Sequence, residues 1–291
     1  MMKKFKIALA QIDTRLGEVE ANLGKHLDMA KQAAGQDADL LVFPELSLTG
    51  YSLKDLVPRV ARQPEPEDPV FGPLLEASEE IDLVVGYVEQ DHRSRFFISA
   101  AYLSSGKVVH NHRKVYLPTY GLFQEGRFFA AGDRFRAFDT SLGRFGLLIC
   151  EDFWHPSAPY LVWLDGADLL IFISASPSRG LTSEPVLSSV SWVERVNHAY
   201  AGAFTSFIAH TNRIGFEDGL KFGGRATVHN PKGELISHGA YHQEGLTYAE
   251  IEPGQLRRTR AKLPLLRDEK PQLVLRELDR ILASKHRHSD R

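Results

Sequence analysis

Three reactive side chains each close an apolar run. Leu147-Leu148-Ile149 ends in Cys150, the only cysteine, and Glu151 and Asp152 follow at once. Leu40-Leu41-Val42-Phe43-Pro44 ends in Glu45, and Val108-Val109-His110-Asn111-His112-Arg113 ends in Lys114. An apolar run that stops at a reactive residue reads as a buried strand delivering that residue to a sheet edge. A thiol becomes a useful nucleophile only with a base or cation beside it. If Cys150 attacked a carbonyl, Glu45 could take the thiol proton and return it to a leaving amine. The Lys114 ammonium and the backbone N–H of Glu151 could hold the oxyanion. Attack on an amide would give an amine or ammonia plus a thioester, which water activated by Glu45 would open.

Read singly, each residue has an ordinary explanation. A lone cysteine is usually a buried structural thiol, a loop glutamate is usually exposed, and a lysine usually snorkels at the surface. Their common placement at strand ends favours chemistry. The twelve histidines are scattered, without a His-Glu-x-x-His or paired-cysteine pattern, so neither metal nor cofactor is expected.

The elements that must position these residues follow from periodicity. Phe5 to Ile12 alternates as a first strand. Val19, Leu23, Leu27, Ala30 and Ala34 form a helical stripe that Gly35 can stop. Leu40 to Phe43 is an unbroken strand, as expected when both faces of a sheet are covered. Strand, helix, strand implies a parallel crossover. Asp82 to Glu89, Arg95 to Leu103 and Lys107 to Lys114 form a meander. The long, aromatic, glycine-bearing stretch from Val115 to Asp133 is of the kind that serves function. Further strands are expected at 135–138, 145–150, 169–173, 203–210 and 246–251, with a hairpin around Asn230-Pro231-Lys232-Gly233. Helices are expected at 156–164 and to about Tyr200, with Val186, Val190, Val193 and Tyr200 on one face. The expectation is one α/β domain spanning 1–291: two sheets packed together and covered outside by helices, with a core at about 5–252. The tail from about 253 is charged and helix-tolerant, frayed from His286.

Composition narrows the function. With 43% hydrophobic and 25% charged residues the chain has core material for an ordinary globule. A net charge of -2 gives no reason to expect nucleic acid or an anionic membrane as partner. A single cysteine excludes an internal disulfide and fits a reducing compartment. No stretch approaches the ~20 apolar residues of a membrane span, and no secretion signal follows the basic start. A cytoplasmic location is expected.

The same segments resemble the nitrilase, or carbon–nitrogen hydrolase, superfamily. Phe43-Pro44-Glu45-Leu46, His112-Arg113-Lys114-Val115-Tyr116-Leu117-Pro118 and Ile149-Cys150-Glu151-Asp152 look like its Glu, Lys and Cys motifs in the family's order. Phe222-Gly223-Gly224-Arg225 through Glu234 resembles a further shared segment, with Ala226 where a serine is frequent. The resemblance implies a four-layer αββα sandwich, metal-free hydrolysis of a small amide, and homodimers or larger assemblies. It implies Cys150 as nucleophile, Glu45 as general base and Lys114 as oxyanion stabiliser.

Within the superfamily, Leu48-Thr49-Gly50-Tyr51, Leu117 to Glu125 and Cys150-Glu151-Asp152-Phe153-Trp154 are similar to the glutaminase domain of glutamine-dependent NAD synthetases. That similarity implies Glu125 as a supporting acid near Lys114, and Tyr120, Glu151 and Ser176 as substrate-binding residues. Glu151 stands where nitrilases proper usually carry tryptophan, which favours amides over nitriles. These 291 residues carry no synthetase segment with a Ser-Gly-Gly loop, so NAD synthesis by them is not expected. Leu181 occupies a position that is basic in the glutaminase pattern, and Arg179 is the nearest substitute. Other readings are a glutaminase-like subunit giving ammonia to a separate synthetase, an N-carbamoyl amidohydrolase or nitrilase, and a catalytically idle binding scaffold.

Overall fold

The computed structural model describes residues 2–178 and 188–289, with side chains placed for 2–178 and 191–284. Arg179, Leu181 and Val186, and the side chain of Val190, lie outside the described residues. In chain order the first half holds β1 (Phe5–Gln11), α1 (Val19–Ala34), β2 (Leu40–Val42), α2 (Val57–Val60), α3 (Phe71–Ala77), β3 (Asp82–Gln90), β4 (Phe96–Ser104), β5 (Lys107–Arg113) and α4 (Glu125–Phe128). The second half holds β6 (Ala137–Asp139), β7 (Arg144–Ile149), α5 (Ser157–Leu164), β8 (Leu169–Ser174), α6 (Ser188–Ala203), β9 (Phe207–Asn212), β10 (Ile214–Glu217), β11 (Leu220–Gly223), β12 (Thr227–His229), β13 (Leu235–His238) and β14 (Gly245–Ile251). The chain closes with α7 (Pro253–Lys262), α8 (Leu265–Asp268) and α9 (Pro271–Ser289). Among the described residues no helix is long and apolar enough to cross a membrane.

Two six-stranded sheets result, in the orders β14-β1-β2-β3-β4-β5 and β13-β12-β9-β8-β7-β6. Each has a parallel centre, β1–β2–β3 and β7–β8–β9, with antiparallel strands on both sides. The period-2 pattern of β7 shows how the layers stack. Leu147 and Ile149 join the core shared with Leu9, Leu41 and Leu83 of the first sheet. Leu148, with Leu170, Phe172 and Ile208, turns outward to Val162 and Trp163 of α5 and Ala201 of α6. Buried residues of α1 and α3, among them Ala30, Ala33, Phe71 and Leu74, pack on the outside of the first sheet. This is the αββα sandwich expected from the sequence.

Four local expectations are corrected. The buried face of α1 is Val19, Asn22, His26, Met29, Ala30 and Ala33, so Leu23, Leu27 and Ala34 flank it. Two polar side chains are buried there because they satisfy the loop after Glu45. Asn22 donates to the Leu48 carbonyl at 3.0 Å, and the His26 ring meets Ser47 Oγ at 2.9 Å. The strand expected at 203–210 begins at Phe207, because α6 runs to Ala203 and a turn with Thr205 at φ 46° intervenes. The hairpin β10–β11 was not expected. The tail expected to fray from His286 stays helical to Ser289.

Candidate active site

Parallel pairing brings the three strand ends together. In the register Ile149↔Ile173, Cys150 emerges beside Ser174, and β2, paired in register with β3, delivers Glu45 from the other sheet. Glu45 follows a crowded crossing: a Cβ on Gly86 of β3 would lie 2.3 Å from the Pro44 carbonyl, so no larger residue fits there. Lys114 directly follows β5, its backbone N–H still bonded to the Ile98 carbonyl at 2.8 Å.

Lys114 is fully buried between two carboxylates. Its Nζ lies 2.8 Å from Glu45 Oε1 and 2.8 Å from Glu125. The other Glu45 oxygen accepts the backbone N–H of Ala175 at 2.7 Å. Glu125 also accepts the Tyr51 hydroxyl hydrogen at 2.6 Å. Burial opposes the lysine charge, yet Glu125 and Glu45 outweigh it and hold the ammonium well above its usual range. Glu125 is pushed up to about 7 by burial, with Glu45 adding to the shift and Lys114 opposing it.

Cys150 sits at φ 45°, the left-handed region that raises a non-glycine residue by about 1–2 kcal/mol. Its Sγ is 3.6 Å from Ser176 Oγ. Burial pushes the thiol up, Glu45 and Glu125 push it further, and Lys114 only partly offsets them. A thiol raised in this way gains as a nucleophile from a neighbouring base that takes its proton. Glu45 is the carboxylate whose charge acts most strongly on it.

Asp152 ties the cysteine turn to the lysine strand. Its Oδ1 accepts the N–H groups of Val115 and Tyr116, each at 2.9 Å. Its Oδ2 accepts the Ile149 N–H at 3.2 Å and meets His112 Nε2 at 2.8 Å. This positioning role was missed from the sequence; the only signal was a second carboxylate in a run that otherwise reads as buried.

The remaining expected residues divide by location. Ser176 reaches the nucleophile, and its N–H donates to Asn212 Oδ1 at 2.8 Å. The Glu151 carboxylate accepts the Tyr120 hydroxyl hydrogen at 2.9 Å and stands 3.7 Å from His155 Nε2. Tyr120 itself is 55% exposed. A cavity of about 260 Å³ beside Glu125 is lined by Tyr51, Leu122, Phe128, Phe129 and Leu220. Among the described residues no group of three or more His, Cys, Asp or Glu side chains is arranged to hold a metal ion.

Comparison with known proteins places the chain among relatives of known family. A glutamine-dependent NAD(+) synthetase of Acinetobacter baylyi is 31% identical over 88% of the chain, which covers 46% of that relative. The solved glutamine-dependent NAD+ synthetase of Acinetobacter baumannii superposes with a TM-score of 0.80 at 31% identity, over 88% of this chain and 47% of that one. The chain thus spans about half the length of the synthetases it matches. The NitN amidase of Nesterenkonia superposes with a TM-score of 0.77 at 25% identity, over 94% of this chain and 99% of that one. The carbon-nitrogen hydrolase family model matches residues 6–261, and the chain belongs to that family.

Proposed function

We propose that this carbon-nitrogen hydrolase cleaves a small amide through a thioester on Cys150. The observation that carries the reading is the buried ammonium of Lys114 held at 2.8 Å from both Glu45 and Glu125 around the Cys150 thiol. Glu45 takes the thiol proton as Sγ attacks the carbonyl carbon. The oxyanion that forms is met by the Lys114 ammonium, a fixed donor in a site without bulk water. Glu45 then gives its proton to the leaving nitrogen, and ammonia departs. Water enters and loses a proton to Glu45. The resulting hydroxide opens the thioester, the sulfur leaves and takes back the proton from Glu45, and the acid departs with thiol and carboxylate restored.

The next residue supports one substrate class. The Glu151 carboxylate lies beside the nucleophile in sequence and is oriented by Tyr120. An ammonium group on the far end of the substrate is its natural complement, which favours an ω-amide of an amino acid over a plain aliphatic amide. A second reading, that the ammonia passes to a separate synthetase, is supported by the identity with glutamine-dependent NAD(+) synthetases. The test is ammonia release from a panel: glutamine, asparagine, the glutamine analogue lacking its α-ammonium, short aliphatic amides, an N-carbamoyl amino acid and a nitrile. Preference for the ammonium-bearing amides supports the reading. Equal rates with and without that group remove the role of Glu151, and silence from every amide removes amide hydrolysis itself.

A further inference from the structure

The loop that carries Glu45 continues to Tyr51 and there meets a buried ion pair outside the reacting groups. Glu217, at the end of β10, accepts the N–H groups of Tyr51 at 2.8 Å and Ser52 at 2.6 Å through one oxygen. Its other oxygen accepts from Arg213 at 2.6 Å, and both side chains are at least 96% buried. Arg213 is braced in turn: it donates to the Thr14 carbonyl at 3.3 Å, and its guanidinium lies 4.3 Å from the centre of the Phe222 ring. The chain passes close over this pair at Gly50. Its φ is +79°, and a Cβ there would be 2.7 Å from Glu217 Oε2.

The tie leads inward. With its backbone fixed by Glu217, Tyr51 reaches Glu125 at 2.6 Å, and Glu125 reaches Lys114 at 2.8 Å. We propose that Glu217, held by Arg213, is a positioning residue for the Lys114 ammonium, acting through Tyr51 and Glu125. A charged pair taken out of water is a poor source of stability when neutral packing could fill the same space. What this pair supplies is a fixed place for one phenol, and through it for the second carboxylate on the lysine. The inference rests on the role given to Lys114 above.

A double-mutant cycle tests it, with Tyr51→Phe, Glu217→Asp and the double variant. Aspartate keeps the charge facing Arg213 but withdraws it from the two N–H groups. Two readouts are taken: kcat and KM on the amide turned over fastest, and the rate of Cys150 alkylation by iodoacetamide, which needs no substrate. Each single variant is expected to lower kcat by about tenfold with KM within about twofold. The double is expected to fall no more than about twofold below Tyr51→Phe, because both changes cut one path. The alkylation rates of all three should shift from wild type in the same direction. If Glu217→Asp does not fold, Arg213→Lys, which loosens the fork on Glu217, replaces it with the same expectation. Losses that multiply in the double variant would overturn the proposal. So would a Glu217→Asp enzyme that melts earlier yet matches wild type in kcat and alkylation. Should wild type release no ammonia, the amide reading fails, and the alkylation cycle alone decides the positioning claim.

Discussion

The Glu45 carboxylate accepts the backbone N–H of Ala175 at 2.7 Å. This bond joins the two sheets at the point where the chemistry sits, because Glu45 follows β2 and Ala175 follows β8. One carboxylate oxygen is thereby fixed, and the other faces Lys114. Glu45→Gln can keep the Ala175 contact through its carbonyl, but it cannot accept a proton. The variant is expected to fold with a melting temperature near wild type and to lose about a thousandfold in kcat. Retained turnover would remove Glu45 as the base.

Lys114 separates two buried carboxylates. Replacing it with methionine leaves Glu45 and Glu125 facing each other without a cation. A destabilisation of about 3–5 kcal/mol is expected from stranding buried charge. Urea unfolding at pH 8 measures it, and Glu125→Gln in the same background should recover part of the loss. An unchanged midpoint would mean the carboxylates are protonated or hydrated.

Buried histidines favour the folded chain more at neutral than at acid pH. Burial lowers His26 from 6.5 to about 4, and likewise lowers His210 to about 3. The unfolded chain takes up these protons first as pH falls, so the stability present above about pH 6.5 is lost on the way to pH 4. For His26 the linkage amounts to about 3 kcal/mol. The unfolding free energy should fall by about this much less between pH 7 and pH 4 in His26→Gln than in wild type. An identical fall in the variant would contradict the assignment.

The fold was largely legible because its central strands are apolar on both faces. Leu40 to Phe43, Leu147 to Ile149 and Leu169 to Ile173 announce themselves as runs, and the residues that end the first two, Glu45 and Cys150, are then hard to miss. The hairpin β10–β11 was missed although Asp218-Gly219 is a two-residue turn signal, with φ 48° and 80° as such a turn requires. Its strands are short and carry Gly215 and Lys221, so no alternation stands out. The start of β9 was misplaced because Ala201, Gly202 and Ala203 suit a helix end as well as a strand. Asp152, Tyr51 and Glu217 could not be assigned roles from local pattern. The Glu217–Tyr51 bond spans 166 positions, and Asp152 acts on N–H groups about 37 residues away.

Asp152 offers a separate check on how the site is assembled. Asp152→Ala removes the acceptor shared by Val115, Tyr116, Ile149 and His112. The Lys114 strand end and the cysteine turn then lose their common tie. Expected are a loss of about 2–4 kcal/mol from the unpaired buried donors and a fall in kcat of at least about a hundredfold from misplacement. Asp152→Asn, which keeps two acceptor lone pairs, should recover a share of both. A fall in stability with unchanged kcat would reduce Asp152 to a structural tie.

Hydrolysis through Cys150 requires a covalent intermediate on its sulfur. The most direct measurement is the mass of the protein, acid-quenched during turnover of the best amide, with the modified peptide then located. An acyl increment is expected on Cys150 in wild type, absent in Cys150→Ala, which should also release no ammonia. Ammonia release by Cys150→Ala at the wild-type rate, or wild-type turnover with no increment on that peptide under any quench time, would contradict it.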